Sequence, residues 1–253
     1  MLKLGKCEKL KLEELSQTVQ SIKVGGCNGV ESLMKILKKS QSGSHPNLQR
    51  LHIHNCSSPT TLPTGCLPST LTQLKIKNCE KLEFLRHQEN SLETLPLQSV
   101  FTRSCGGSLR SPIYSDELWL ANCRKLIAQR MKWNLQTFQS LSSFTIVDEF
   151  GNVESFPEEG LLPTSLTVLW ICGFPHPKRL EELKQLTSLK NLRIWRCPQL
   201  HDLPQQGCPT SLAYLDIREC PILKERCQID KGQDWNNISN IFRIDIDGDR
   251  IIG

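Results

Sequence analysis

The sequence has no long hydrophobic run, and its first residues do not form a secretory signal. No stretch approaches the roughly 18 uninterrupted apolar residues that a membrane-spanning helix needs. The opening MLKLGKCEKLKLEEL carries charged residues where a signal peptide has a continuous apolar segment. These absences argue against a membrane-spanning or secreted protein.

The motifs of common enzymes and metal sites are also missing. There is no Gly-x-x-x-x-Gly-Lys-Ser/Thr phosphate-binding loop, no Gly-x-Ser-x-Gly nucleophile elbow and no Cys-x-x-Cys pair. His52 and His54 could begin a metal site, but no third ligand is evident, and residues 245–249 depart from a calcium loop because the glycine is misplaced. We therefore predict that the chain is not an enzyme and that this segment holds no metal or cofactor.

Charge of either sign is not concentrated in blocks. The 31 Lys and Arg residues and 26 Asp and Glu residues give a formal net charge of +5, and the basic residues are scattered. A dedicated nucleic-acid-binding protein is therefore not expected. Without a secretory signal, the twelve cysteines are expected to be reduced thiols.

Leucine is what the sequence has in abundance, at 38 of 253 residues, and the leucines recur in a fixed pattern. The motif apolar-x-x-apolar-x-apolar-x-x-Cys begins at Leu71, Leu189 and Leu212, and its last two copies are 23 residues apart. Extending the register gives unit starts at Val19, Leu48, Leu71, Leu92, Ser115, Leu141, Leu166, Leu189, Leu212 and Ile241, after one partial unit. The pattern predicts one solenoid of about eleven units over residues 1–253, with a capping segment and last strand over residues 221–253.

Each repeat predicts a short strand. Alternate residues of a strand point to opposite sides, so the two apolar residues of each Leu-x-Ile pair turn inward and their neighbours face outward. Connectors rich in Pro and Gly predict an irregular outer side with short helices, except at residues 29–41, where apolar spacing predicts a longer helix. The predicted fold class is an α/β solenoid, a leucine-rich-repeat horseshoe with a parallel β-sheet on its concave face.

The cysteines follow the same repeat. Seven of them occupy one position, namely Cys7, Cys27, Cys56, Cys79, Cys123, Cys197 and Cys220. A small, inward, weakly hydrogen-bonding residue closes each coil at this turn, so a structural role is predicted in preference to a redox or metal role. Among the others, Cys172 is expected to be the most exposed.

The outward strand positions predict a protein-binding surface on the concave face. The candidate residues are His52, His54, Lys75, Lys77, Trp119, Trp170, Arg193, Trp195, Asp216 and Arg218. Exposed tryptophans beside arginine are typical of interface hot spots. The alternative is that these aromatic residues pack across adjacent strands and only stabilise the sheet. A trend from basic residues near His52 to acidic residues at Asp245 and beyond is expected to orient a partner.

The repeat and the tail together resemble a known family. Residues 189–204 read Leu-x-x-Leu-x-Ile-x-x-Cys-Pro-x-Leu-x-x-Leu-Pro, and a connector reads Leu-Pro-Thr-Ser-Leu. The ending has Cys-Pro-Ile-Leu-Lys-Glu-Arg-Cys, then Gly-Gln-Asp-Trp, then a last strand. These features resemble the C-terminal leucine-rich-repeat region of plant coiled-coil nucleotide-binding disease-resistance receptors. Phe242 stands where a proline is more usual in that family.

The resemblance carries functional expectations. In that family the repeats recognise a pathogen effector or a guarded host protein, and they hold the nucleotide-binding domain inactive until recognition. The resemblance implies the ligand-recognition and autoinhibitory region of an intracellular immune receptor, cytoplasmic or nucleo-cytoplasmic. ADP or ATP would belong to an absent nucleotide-binding domain. We expect a segment of a longer receptor, with a protein partner, no nucleic acid and no membrane span.

One alternative function is a stand-alone intracellular interaction scaffold, such as a substrate adaptor for ubiquitination. An F-box-type adaptor would show a helical module upstream and more regular helical connectors, and neither is visible. A cell-surface receptor would need a signal peptide and the Gly-x-Ile-Pro pattern of extracellular plant repeats. The sequence therefore favours the immune-receptor interpretation.

Overall fold

A computed structural model describes residues 2–4, 18–39, 47–58, 60–62, 67–68, 70–84, 116–133, 135–149, 152–180, 182–204 and 207–253. The chain forms two compact units, Met1–Ser140 and Leu141–Gly253. The repeat unit predicted to begin at Leu92 lies outside the described residues, as does Cys7. The single solenoid and the capping segment over residues 221–253 stay predictions.

The first unit contains a parallel sheet. Its strands in chain order are β1 (Leu2–Leu4), β2 (Ser21–Gly25), β3 (Arg50–His54), β4 (Thr60–Leu62), β5 (Gln73–Lys77), β6 (Leu82–Phe84) and β7 (Asp116–Ala121). Strands β1, β2, β3, β5 and β7 pair in that order, all parallel, while β4 and β6 form a separate two-stranded parallel sheet. Strand β5 pairs directly with β7, in register from Gln73 opposite Glu117 to Lys77 opposite Ala121.

Helical segments connect these strands. An α-helix covers Cys27–Lys39, a short one covers Arg124–Ala128, and 3-10 turns cover Arg130–Lys132 and Leu135–Thr137. The long helix confirms the apolar spacing in the sequence, because Val30, Leu33, Met34 and Leu37 are all buried along one side. Its described end is Lys39, so the predicted end at Gln41 lies outside the described residues.

The second unit contains six strands. They are β8 (Leu141–Val147), β9 (Val168–Cys172), β10 (Asn191–Trp195), β11 (Tyr214–Arg218), β12 (Arg243–Ile246) and β13 (Asp249–Ile252). Strands β8 to β12 are parallel neighbours, and β13 returns antiparallel to β12. Short helices cover Pro221–Arg226 and Trp235–Ile238. In the described part of the chain, the helices are all too short or too polar to cross a bilayer.

The strand registers confirm the predicted repeat and fold class. In the second unit, Leu169, Leu192, Leu215 and Ile244 form one in-register row, and Ile171, Ile194, Ile217 and Ile246 form the next. Every one of these side chains is buried. Burial of a Leu or Ile side chain contributes about 1.5–3 kcal/mol, so stacked rows make each coil depend on its neighbours. The chain is an α/β solenoid of leucine-rich repeats.

A left-handed residue follows most strands and turns the chain toward the connector. The φ angles are 78° at Gly26, 54° at Asn55, 52° at Asn78, 51° at Asn122, 73° at Gly173, 51° at Arg196 and 53° at Glu219. Glycine and asparagine adopt this conformation at little cost, whereas other L-residues are strained. In the first unit, the side chains of Asn55, Asn78 and Asn122 also form a hydrogen-bonded ladder, with N–O distances of 3.1 and 3.3 Å.

The repeat cysteine follows the left-handed residue and closes the turn. The Cys79 thiol donates to the Lys77 carbonyl at 3.3 Å, and that carbonyl also accepts the Asn55 N–H at 2.9 Å. The last carbonyl of β7, β10 and β11 likewise accepts one thiol and one backbone N–H. The thiols belong to Cys123, Cys197 and Cys220. A small residue with one weak donor fits this buried position, which explains why cysteine repeats there.

The tail ends in a hairpin that the repeat pattern does not predict. Asp247 and Gly248 have φ angles of 51° and 95°, and they join β12 to the antiparallel β13. An Asp-Gly pair with positive φ at both residues is a favoured two-residue hairpin turn. Asp245, the first residue of the expected acidic end, is only 5% exposed.

Candidate functional site

Strand pairing gathers the predicted site residues on the exposed side of each sheet. In the first unit, His52, Lys75 and Trp119 form one row across β3, β5 and β7, and His54 lies beside Lys77. In the second unit, Trp170, Arg193 and Asp216 form one row, and Trp195 lies beside Arg218. Parallel strands lie about 4.8 Å apart, so each row brings these side chains into contact distance.

The first unit presents basic and imidazole side chains. The His52 Nε2 atom lies 2.9 Å from Gln73 Oε1, and the Lys75 Nζ atom lies 2.9 Å from Glu117 Oε1. Lys23 pairs in register with His52, and Arg50 begins the same strand as His52. The sequence prediction omits Lys23 and Arg50, although Lys23 occupies the repeat position of His52 and Lys75.

His54 packs over the backbone of Gly25. A Cβ atom at position 25 would overlap the imidazole ring, so glycine is the residue that leaves room for it. Burial lowers the pKa of His54, and the nearby Lys23, His52 and Lys77 lower it further because they disfavour a second positive charge. His54 is therefore a neutral imidazole within a basic surface at neutral pH.

The second unit presents a cluster of aromatic and arginine side chains. The rings of Trp170 and Trp195 meet edge to face with centroids 4.6 Å apart. The Arg218 guanidinium lies 4.6 Å from the Trp195 centroid, and Arg193 lies 5.8 Å from Trp170 and 5.9 Å from Tyr214. We call Trp170, Arg193, Trp195, Tyr214 and Arg218 the aromatic–arginine cluster. Cation–π and edge-to-face contacts hold its side chains in one arrangement.

Two aspartates lie beneath this cluster. Asp216 is 1% exposed and accepts a hydrogen bond from Arg218 Nε at 2.9 Å. Asp245 accepts hydrogen bonds from Arg243 Nη2 at 2.7 Å and from the Tyr214 hydroxyl at 2.9 Å. The Arg243 hydrogen bonds hold the pKa of Asp245 below its usual value, while burial and then the Asp245 bond raise the pKa of Tyr214.

These contacts correct the expected roles of Asp216 and Asp245, whereas Asp247 and Asp249 of the expected acidic end are exposed. The sequence predicts Asp216 as an available contact residue and Asp245 as part of an acidic end. Both carboxylates are instead covered and paired with arginine, so neither offers its charge to solvent. The exposed groups above them are guanidiniums and aromatic rings, because aspartate is too short to reach past Arg218, Tyr214 and Arg243.

The cluster contains hydrogen-bond donors without acceptors. Trp170 Nε1, Trp195 Nε1 and Arg193 Nε are buried atoms that have no hydrogen-bond partner among the described residues. In the same part of the chain, Arg193 has no carboxylate within ion-pair distance. All three groups donate and none accepts, and because these atoms are buried they are not open to a partner's oxygens in this arrangement.

Two cysteines differ from the expectation. Cys172 is 6% exposed, so the prediction that it is the most exposed thiol is wrong, and burial raises its pKa. Cys27 is half-buried, unlike the other described repeat cysteines. Hydrogen bonding by Ser58, whose backbone N–H lies 3.2 Å from the sulfur, lowers the pKa of the Cys27 thiol to about 6. No group of three or more His, Cys, Asp or Glu side chains suited to a metal ion is found where the structure is described.

No protein-family model matches the chain. The chain is similar to At3g14460, described as a disease resistance protein of Arabidopsis thaliana, with 28% identity over 94% of this chain and 24% of that protein. It is also similar to the Arabidopsis disease resistance protein RPP4, with 27% identity over 70% of this chain and 15% of that protein.

The chain thus spans about a quarter or less of the length of these relatives. Both comparisons confirm the resemblance that the repeat and the tail indicated, since each relative is a plant disease resistance protein and the similarity covers most of this chain.

Proposed function

We propose that this chain, a leucine-rich-repeat segment related to plant disease resistance proteins, binds a protein ligand through the exposed sheet face of its second unit. The ligand is a pathogen effector or a host protein that the receptor guards. The same repeats contact a nucleotide-binding domain of the complete receptor and keep it inactive before recognition. ADP or ATP binds that domain and not these repeats. The role is non-catalytic, and the receptor acts in the cytoplasm or between cytoplasm and nucleus.

The observation that carries this proposal is the aromatic–arginine cluster. Tryptophan, tyrosine and arginine dominate binding energy at protein interfaces because they bury large areas at low entropic cost. Here Trp170 and Trp195 are only half-buried, yet their rings are already held against each other and against Arg193 and Arg218. A preorganised surface loses little entropy on binding. The half-buried Arg193, which has no carboxylate within ion-pair distance among the described residues, favours a ligand that supplies oxygen acceptors.

The alternative is that the two tryptophans only stabilise the sheet. An aromatic pair contributes about 0.5–1.5 kcal/mol beyond the area it buries, and that gain would fit a purely structural role. It does not account for Arg193, whose charge has no carboxylate partner among the described residues. A half-buried guanidinium that lies beside two rings and has no carboxylate partner is better suited to contact an oxygen of a ligand.

Substitution of the cluster tests the proposal. In the complete receptor that carries this segment, Trp170→Ala and Trp195→Ala together should abolish the defence response to the matching pathogen. Each truncation should weaken ligand binding by about 2 kcal/mol, roughly thirtyfold. The measurement is the response in plant tissue, beside the thermal midpoint of the purified 253-residue chain.

Met131→Ala is the matched control, because Met131 is an apolar side chain that is 56% exposed and lies in the other unit. It should leave the response unchanged. A response that becomes constitutive in the tryptophan variant would assign the cluster to the autoinhibitory contact. An unchanged response, with no change in basal activity, would contradict the proposal.

A further inference from the structure

The exposed face of the first unit is strongly basic. We define the basic face as Lys23, Arg50, His52, His54, Lys75 and Lys77 on strands β2, β3 and β5. On the same face, among the described residues, Glu117 of β7 is the one carboxylate, and Lys75 neutralises it at 2.9 Å. The formal charge of the whole chain is only +5. Three lysines, one arginine and two histidines are thus concentrated on one surface, which the composition of the chain does not reveal.

Apart from Lys75, the lysines and the arginine of the basic face have no ion-pair partner among the described residues. Lys23, Arg50 and Lys77 have no carboxylate within ion-pair distance in the described part of the chain. They stand on neighbouring strands about 4.8 Å apart, where like charges repel. The positive charges of Lys23 and Lys77 also act on His54, because both lower its pKa. Charge that destabilises the free surface is stabilising once an anion covers it.

We propose that the basic face binds an acidic segment of a polypeptide, extended along strands β3 and β5 with Asp or Glu at alternate positions. Basic side chains on these strands recur every second residue, as the imidazoles of His52 and His54 and the ammonium groups of Lys75 and Lys77. That spacing is about 6.6 Å, which is also the distance between alternate side chains of an extended peptide. An acidic residue at every second position therefore meets the face in register, whereas a block of adjacent acidic residues directs half of its carboxylates away.

A polypeptide fits this face better than a nucleic acid. Single-stranded nucleic acids bind where several aromatic rings offer stacking platforms along a basic groove. The basic face has one aromatic neighbour among the described residues, the half-buried Trp119 in register with Lys75. His52 is already hydrogen-bonded to Gln73. The face thus supplies point charges and imidazole hydrogen bonds, which suit carboxylates.

The position of His54 makes the binding depend on pH. Its imidazole is surrounded by Lys23 from β2, Lys77 from β5 and His52 from its own strand, and burial is the largest cause of its low pKa. A bound carboxylate would offset these positive charges and raise the pKa of His54 in the complex. Binding then takes up a proton. The affinity must therefore increase as the pH falls from the pKa of His54 in the complex to its pKa in the free chain.

The experiment uses the 253-residue chain and two fluorescent peptides of about 12 residues. One alternates Glu and Ser, and the other has a block of adjacent Glu followed by a block of Ser. Fluorescence polarisation is read at about pH 7.5 and about pH 5.5, where glutamate stays mostly ionised. We expect the alternating peptide to bind more tightly than the block peptide. We also expect affinity to increase about threefold at the lower pH, and His54→Gln to remove that increase.

Charge removal on the face identifies the site. Lys23→Gln with Lys77→Gln should weaken binding of the alternating peptide about tenfold. The control Lys184→Gln removes an exposed lysine of the second unit and should change the affinity less than about twofold. The variant with both Trp170→Ala and Trp195→Ala should bind the peptide normally. The test of the basic face is therefore independent of the test of the aromatic–arginine cluster.

Two results would overturn the proposal. One is peptide binding that does not respond to the Lys23 and Lys77 substitutions. The other is tighter binding of a short single-stranded oligonucleotide that responds to the same substitutions, which would assign the face to phosphodiesters instead.

Discussion

At the scale of single residues, the residue that follows a strand determines how much backbone strain a repeat carries. The first unit places Gly26, Asn55, Asn78 and Asn122 in the left-handed conformation. The second unit places Arg196 and Glu219 there, where an L-residue other than glycine or asparagine costs about 1–2 kcal/mol. Arg196 gains partial compensation through Glu149 at 3.0 Å and Glu219 at 3.7 Å. Exposed ion pairs of this kind contribute less than the conformational cost.

Glu219→Asn should therefore stabilise the chain by about 0.5 kcal/mol, because relief of strain exceeds the loss of a 3.7 Å pair. Urea unfolding of the 253-residue chain measures the change as a higher midpoint with an unchanged slope. Glu154→Asn, at an exposed glutamate without positive φ, is the control and should have no effect. A lower midpoint for Glu219→Asn would refute the strain argument.

The sequence predicted the repeat cysteines but not the reason for them. Period and position indicated that Cys79 and Cys220 turn inward, and both are buried. The carbonyl that each thiol contacts is visible only after the left-handed turn places the sulfur beside the strand end. The failures concern Cys172, Asp216 and Asp245. Long neighbouring side chains cover the two aspartates, and strand alternation carries no information about how far a neighbour reaches.

At the scale of elements, one coil of the second unit departs from the repeat. Phe174 takes the place of the repeat cysteine after β9 and is buried. Its ring stacks on Phe156 of the connector with centroids 5.5 Å apart, and Phe156 lies 6.4 Å from Phe144 of β8. The three rings fill the space that a longer connector leaves between two coils.

Restoring the repeat consensus with Phe174→Cys should destabilise the chain by about 3 kcal/mol, because it leaves a cavity beside Phe156. A view based on the repeat alone predicts the reverse, since consensus substitutions commonly stabilise proteins. Thermal or urea unfolding of the Phe174→Cys variant distinguishes the packing prediction from the consensus prediction. Cys197→Ala removes a repeat cysteine elsewhere in the unit and serves as a comparison, with an expected loss of about 1 kcal/mol. Equal or greater stability of Phe174→Cys would contradict the packing described here.

The strands of the repeat were predictable from the sequence, whereas the strands outside the repeat were not. Alternation located β1, β2, β3, β5 and β7 to β12, since their apolar residues recur at a fixed phase. The small sheet of β4 and β6 and the closing β13 were missed. They carry no repeat signal, and the Asp247–Gly248 turn is a local hairpin signal that a search for periodicity does not score.

At the scale of the whole molecule, the two units differ in the chemistry of their exposed faces. The first displays the basic face, and the second displays the aromatic–arginine cluster. The repeat predicted that outward positions would carry function, and it named most of these residues. It did not reveal that Lys23 and Arg50 join the first group and Tyr214 the second. Lys23 occupies the repeat position of His52 and was open to the same reasoning, whereas Arg50 and Tyr214 precede the first buried Leu of their strands, outside the positions that the repeat marks.

We expect the ligand of the receptor to contact the aromatic–arginine cluster directly, and site-specific photocrosslinking tests this contact while the ligand is still unidentified. A photoreactive amino acid replaces Trp195 or Arg218 of the complete receptor, and Lys184 as an exposed connector control. After challenge with the matching pathogen, illumination should yield a crosslinked product of one defined size from the first two positions and none from the control. The same product from the control position, with none from the positions of Trp195 and Arg218, would contradict the account.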